Sequence, residues 1–290
     1  MVTAVNATLA HPRLSRDLLA QQVQLACVLE VAAAKPGNIT PAHDFSDTTY
    51  ADMVRSALAL GPVFGRRRAL RRSVGELIAD GVQATAQVAR ANTNLGIVLL
   101  FAPLVRAAVT RRGEQTLRAA LERTLAELSV DDADAAFAAI ARANPGGLGD
   151  SPEHDVRAPA LVSLRHAMAA AADRDSIASE YATGYAIVFD SGMPLLADAL
   201  RGGLATLDAI VSLHVGLLAS RPDTLIARKA GVDAARAVTA AAREVRSGSR
   251  SLADFDASLR SADNRLNPGT TADLVAATLL AALLSGVRLP

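Results

Sequence analysis

Two short stretches, far apart in the chain, gather residues able to do chemistry. The first holds Glu30, Lys35, Pro36, Gly37 and Asn38, and runs on to His43, Asp44 and Asp47. The second holds Asn264, Asn267, Pro268, Gly269, Thr270, Thr271 and Asp273. Three more polar islands lie between them: Asn92-Thr93-Asn94 with Gly96, the segment 144–157 with Asp150, Glu153, His154, Asp155 and Arg157, and Asp223-Thr224 followed by Arg228 and Lys229. Carboxylates without paired His or Cys spacing suit a hard, oxygen-binding cation, Mg²⁺ above Zn²⁺. Arg, Lys and helix N-termini suit phosphates. Lys35 and Lys229 are the two lysines among 30 basic residues, and both sit beside such islands. Taken singly, Asp47, Asn94 and Asp273 also read as ordinary cap or first-turn residues. Together, the five islands read as the parts of one site for a charged ligand.

Helices must carry these islands. Hydrophobic residues make up 51% of the 290 positions and aromatics 3%, and a chain dominated by Ala and Leu favours helix over sheet. Ser15 opens an apolar 3.6-residue pattern reaching about position 34, where Lys35-Pro36-Gly37 ends it. A second helix is expected over 49–60. Ser73 and Glu76 form a capping-box pattern opening a third, and 95–109 reads as a buried helix kinked at Pro103. Further helices are expected at 114–128, 131–142, 159–172, 176–189, 194–200, 204–219, 232–246, 251–261 and 271–284. No segment alternates at period two. The expectation is an all-α fold of about a dozen helices, in a single compact domain over 1–290.

Composition narrows the function classes. A net charge of +1 gives no general attraction to nucleic acid or to an anionic membrane. The dense run Arg66-Arg67-Arg68 with Arg71 and Arg72 reads first as a solvated face. The single cysteine, Cys27, cannot form an internal disulfide, which fits a reducing compartment. The longest apolar run, 274–284, falls short of the roughly 20 residues that span a bilayer, so a cytoplasmic protein is expected. There is no Walker loop, no glycine fingerprint before a strand and no zinc motif.

Read in order, the islands resemble the triphosphoribosyl-dephospho-CoA synthase family. The matching signatures are Glu30-Val31 through Lys35-Pro36-Gly37, Asp47, Asn92-Thr93 with Gly96, Gly149-Asp150, Asp223-Thr224 with Lys229, and Asn264 through Asp273-Leu274. The resemblance implies an all-α fold and a pentosyl transfer from ATP to 3′-dephospho-CoA, with release of adenine. Its product is the precursor of the prosthetic group of citrate lyase or malonate decarboxylase. Several positions depart from the family pattern. Phe45-Ser46-Asp47-Thr48 stands where His-x-Asp-Met is typical, and Asn94-Leu95 replaces His-Lys. Gly147-Leu148-Gly149-Asp150 replaces Ala-Arg-Gly-Glu, and Arg228-Lys229 replaces His-Arg.

What the resemblance implies for the site follows the chemistry of displacement at an anomeric carbon. Its oxocarbenium-like transition state is stabilised by flanking carboxylates. Asp47 and Asp150 are the first candidates for that role or for Mg²⁺ ligation, with Asp155 and Asp273 next. His43 or His154 would move protons. Lys35, Arg157, Arg228 and Lys229 would neutralise the triphosphate. Asn38, Asn92, Asn94 and Asn267, with Thr93 and Gly269, would hold sugar or base. The lost basic groups leave three other readings open: an acceptor in a C1-carrier pathway such as that of tetrahydromethanopterin or methanofuran, a binding-only protein, or a hydrolase of an N-ribosyl bond. Oligomeric state is open, a homodimer included.

Overall fold

A computed structural model describes residues 14–66, 71–89, 93–143 and 154–289. The chain runs through α1 (Arg16–Ala32), α2 (Tyr50–Gly65), α3 (Val74–Ala86), α4 (Leu95–Thr110) and α5 (Leu117–Ala126). Next come α6 (Val130–Ala143), α7 (Leu164–Ala169), α8 (Ser176–Thr183), a π-helical turn (Ile187–Gly192) and α9 (Met193–Arg201). It closes with α10 (Thr206–Ser220), α11 (Thr224–Ala230), α12 (Val232–Ser247), α13 (Leu252–Leu259) and α14 (Gly269–Leu284). Among the described residues there is no β-strand, and one isolated bridge joins Thr40 to His43. The all-α expectation holds.

Local chemistry sets the helix starts. Ser15 accepts from Leu18 N at 3.1 Å and opens α1. Thr49 with Asp52, and Ser73 with Glu76, form reciprocal capping boxes at α2 and α3. Prolines inside helices are tolerated because a distant side chain takes up the carbonyl that proline strands at i−4. Pro62 strands Leu58 O, and Gln24 Nε2 donates to it at 2.9 Å. For that reason α2 runs on to Gly65 rather than stopping near Leu60. Pro103 strands Leu99 O, which accepts from Tyr181 Oη at 2.6 Å. Tyr185 Oη donates to the neighbouring Leu100 O at 2.9 Å.

Two expectations are corrected. The stretch 176–189 is not one helix: α8 ends at Gly184, whose φ of 67° is left-handed, and Tyr185 follows at 62°. Glu180 turns back and accepts from Ile187 N at 2.8 Å and Val188 N at 2.9 Å, starting the π-helical turn. The Asp223-Thr224 island, for which no helix was expected, opens one. Asp223 caps the short helix α11, so Arg228 and Lys229 stand in its last turn.

The core forms around α4 and α14, both buried along nearly their whole length. Val275, Leu279 and Leu280 are fully buried, each worth roughly 1.5–3 kcal/mol relative to exposure. Helices α1 and α4 pack directly on α14. A second apolar cluster, with Leu218, Ile226, Phe255 and Leu259, joins α10, α11, α12 and α13. Helix α10 contributes to both clusters. No helix among the described residues is long and apolar enough to cross a membrane.

Candidate active site

The first and last islands meet, although 229 positions separate Asn38 from Asn267. Asn38 Nδ2 donates to Asn267 Oδ1 at 2.7 Å. Gly37 turns the chain at a φ of 74°, where a Cβ would lie 2.9 Å from Leu259 Cβ and 3.0 Å from Pro268 Cδ. The loop is pinned from below by α13. Gly37 N donates to Asp256 Oδ1 at 2.8 Å, Arg260 grips Asp256 through two nitrogens, and the same guanidinium donates to Asn38 O.

Lys35 points inward and is fully buried. Its ammonium pairs with Glu30 Oε1 at 2.9 Å and also donates to the backbone oxygens of Glu30 and Ala33. Its three donors are thus engaged at the C-terminal end of α1. His214 on α10 lies beside it, also fully buried. Burial and the Lys35 ammonium hold the imidazole far below its ordinary pKa, hence neutral.

Four helix starts converge above this pair. Asp175 caps α8, accepting from Ile177 N at 2.8 Å and Ala178 N at 3.2 Å, while its second oxygen accepts from Arg228 Nη1 at 2.6 Å. Asp223 caps α11, accepting from Leu225 N and Ile226 N at 2.9 and 3.0 Å. Its other oxygen accepts from Thr271 N and Thr271 Oγ1, both at 2.8 Å, and so latches α11 to α14. Thr224 Oγ1 donates to Thr270 Oγ1 at 3.2 Å and ties the same two helix starts. At the start of α4 the N-cap residue, Asn94, makes no side-chain cap bond. Asn94, at its N-cap position, is buried with its Nδ2 unpartnered, and the neighbouring Thr93 hydroxyl meets Ser56 Oγ at 2.6 Å.

Asp273, the fifth residue of α14, lies against the first turn of α4. A Cβ built on Gly96 would sit 2.0 Å from Asp273 Oδ2, so glycine is what lets the carboxyl approach α4. Among the described residues Asp273 accepts no hydrogen bond, whereas Asp175 and Asp223 are saturated. Burial pushes Asp273 well above the usual carboxylate range. The charges of Glu30, Asp223 and Asp175 push it further, and Arg228 opposes them. Cys27 feels burial first, then Glu30 and Asp273, and its thiol stays protonated.

Other expected residues lie elsewhere. His43 and Asp47 are exposed on the loop before α2, where Asp47 Oδ1 accepts from Thr48 Oγ1 at 3.2 Å. His154, at a φ of 51°, meets His166 edge-to-face at 6.0 Å. Arg157 N donates to Asp155 Oδ1 at 2.8 Å, and the two side chains also pair. Lys229 is exposed, and Gly269 packs against Leu225. Asn92 and Asp150 lie outside the described residues. Arg72 is taken by Glu76 and Asp80 on α3, while Arg67 and Arg68 are also outside the described residues. Among the described residues no three His, Cys, Asp or Glu side chains gather to hold a metal ion.

The structure is thus an all-helical protein that brings the start of α4, the Arg228 guanidinium and the desolvated Asp223 and Asp273 carboxyls together. The chain belongs to the CitG family of ATP:dephospho-CoA triphosphoribosyl transferases, whose model matches residues 16–289. It is similar to a crystal structure from Archaeoglobus fulgidus that carries the provisional name triphosphoribosyl-dephospho-CoA synthase. The two are 25% identical with a TM-score of 0.63, over 82% of this chain and 99% of that one. Among curated proteins none matches the chain. Family membership makes the protein a transferase that moves the triphosphoribosyl group of ATP to dephospho-CoA. The C1-carrier, binding-only and hydrolytic readings are not favoured.

Of the residues singled out in the sequence, the structure brings Asn38, Asn94, Asn267, Arg228 and Asp273 together, beside Glu30, Asp175 and His214, to which the sequence assigned no role. Asp175 carries the signature of an ordinary cap, and His214 sits in an apolar helix. Glu30 was legible only as part of a motif, since its burial against Lys35 depends on the turn that follows α1.

Proposed function

We propose that ATP binds where α1 ends and α4, α8 and α14 begin, with its ribose beside Asp273. The observation that carries this reading is the Asp273 carboxyl, which accepts no hydrogen bond among the described residues and is seated on Gly96 in the first turn of α4. The first turn of α4 offers the Gly96 and Ile97 backbone N–H groups and the unpartnered Asn94 Nδ2 to anionic oxygens. Arg228, already oriented by Asp175, and the exposed Lys229 extend that positive edge toward the triphosphate. The Asn38–Asn267 amide pair, fixed by Arg260 and Asp256, borders the same start of α14 and holds sugar or base.

Magnesium enters as part of the substrate MgATP. It characteristically binds phosphate oxygens with one or two carboxylates rather than a protein cage, which agrees with the lack of a three-ligand cluster among the described residues. Its contribution is to neutralise phosphate charge.

Asp273, raised into its protonated form, is the donor to adenine as the glycosidic bond breaks. The acceptor hydroxyl of dephospho-CoA then bonds to the same carbon. The test is incubation with MgATP and 3′-dephospho-CoA, reading adenine and adduct mass. Wild type is expected to form the triphosphoribosyl adduct, and Asp273→Asn to lose roughly 10²–10⁴-fold in turnover. Full turnover by the variant would remove Asp273 from the chemistry.

A further inference from the structure

Helix α13 lies outside all five polar islands, yet it holds the turn that ends α1. Asp256 lies on this helix and Arg260 at its C-cap, one turn later. Arg260 donates from Nε to Asp256 Oδ2 at 2.7 Å and from Nη2 to Oδ1 at 2.8 Å, a two-pronged pairing that fixes both side chains. The pair then brackets residues 37 and 38. Gly37 N donates to Asp256 Oδ1 at 2.8 Å, and both terminal nitrogens of Arg260 donate to Asn38 O at 3.3 Å. Gly37 itself is wedged between Leu259 and Pro268. Leu266, just before Asn267, packs on the apolar cluster that holds Phe255 and Leu259, so the segment entering α14 rests on the same support. With side chains 24% and 26% exposed, the Asp256–Arg260 pair adds little to stability. Its distinctive effect is to set where the turn sits.

That setting bears on one atom. Asn38 is buried and its Nδ2 is engaged by Asn267 Oδ1 at 2.7 Å, but its Oδ1 has no partner among the described residues. An amide oxygen shut off from water and from protein donors is costly to leave unsatisfied. With its backbone held and its Nδ2 engaged, the Asn38 side chain is not free to turn toward a donor elsewhere. We propose that Asp256 and Arg260 are positioning residues of the transfer reaction, holding Asn38 so that its Oδ1 accepts a hydrogen bond from the nucleoside of ATP. This rests on the reading that the Asn38–Asn267 pair holds sugar or base. The partner of Oδ1 is an N–H or O–H donor, and the nucleoside carries both kinds: the 6-amino group of adenine and the ribose hydroxyls.

The experiment measures kcat and KM for MgATP by base release, with thermal melting alongside, in wild type, Asn38→Ala, Arg260→Met, Asp256→Asn and Asn38→Ala/Arg260→Met. Asn38→Ala is expected to raise KM about tenfold, the loss of one hydrogen bond. It should leave kcat in place, because the bond is made before and during the reaction alike. Arg260→Met is expected to raise KM by a comparable factor in the single variant, and by no more than about twofold once the Asn38 amide is gone, because Arg260 acts through that amide. Asp256→Asn keeps an oxygen for Gly37 N and breaks the ion pair. It carries the same expectation if Arg260→Met fails to fold. A role in stability alone would lower the melting temperature and leave KM of the folded variants unchanged, and that result overturns the proposal while the reading of Asn38 stands. Losses that multiply in the double variant overturn it as well. Wild-type kcat and KM in Asn38→Ala overturn both the proposal and that reading. The same comparison with ITP, 2′-deoxy-ATP and 3′-deoxy-ATP identifies the donor. The Asn38→Ala penalty vanishes with ITP if the 6-amino group is the partner, or with the matching deoxynucleotide if a hydroxyl is. A penalty that persists with all three overturns the proposal.

Discussion

Replacing Gly96 with alanine puts a methyl group where the Asp273 carboxyl now lies. The new Cβ would stand 2.0 Å from Oδ2, 2.5 Å from Cγ and 2.8 Å from Ile177 Cδ1. Ordinary contact begins near 3.4 Å, so the carboxyl must retreat by at least ~1.4 Å. The backbone of α14 cannot follow, because Asp223 holds Thr271 through both its amide and its hydroxyl. The side chain must rotate instead. For stability, the crowding costs about 1–3 kcal/mol, and alanine returns about 1 kcal/mol of helix propensity in the first turn of α4. The folded protein should survive with a modestly lower melting temperature. Catalysis has no such compensation: a displacement of ~1 Å at a reacting group costs on the order of 100-fold. The assay is adenine release from MgATP and dephospho-CoA, with thermal melting as the control for folding. A folded Gly96→Ala protein with kcat within about threefold of wild type would refute the placement of Asp273 at the reacting centre.

Two further outcomes follow from groups away from that centre. Burial lifts the Glu180 carboxyl from 4.5 to about 7, against the opposing pull of its two amide donors and Arg221. The folded state then binds a proton that the unfolded chain releases, so stability is lost as pH rises from about 4.5 to about 7. The loss amounts to about 3 kcal/mol from this group, and Glu180→Gln should flatten the dependence in denaturant titrations at pH 5 and pH 7.5. Tyr181→Phe leaves Leu99 O, stranded by Pro103, without its donor. Chemical denaturation should show a loss of about 1–3 kcal/mol with kcat unchanged, and an unaltered midpoint would show that the carbonyl finds another partner.

Much of the fold was legible because capping and helical periodicity are local. Ser15, the Thr49–Asp52 pair and the Ser73–Glu76 pair each act within three residues, and each opens its helix as those residue types require. Where a distant partner intervened, sequence reading fell short. Pro62 reads as a stop until Gln24 is seen to serve Leu58 O, and 176–189 reads as one helix until Glu180 is seen turning back on Ile187 and Val188.

From sequence alone came the all-α class, the polar islands in family order and the residue types available for phosphate and proton chemistry. Tertiary structure decided which of those residues work together. Lys35 reads as a phosphate ligand in one dimension, yet the turn at Pro36-Gly37 folds it back onto Glu30 and buries it. Asp273 reads as a first-turn acid. It becomes the carboxyl without hydrogen bonds only because Asp223 latches α14 to α11 and Gly96 lets the carboxyl reach the start of α4. Caps depend on neighbours a turn away, so a sequence encodes them directly. Desolvation and charge crowding depend on helices that meet only when the core around α4 and α14 forms.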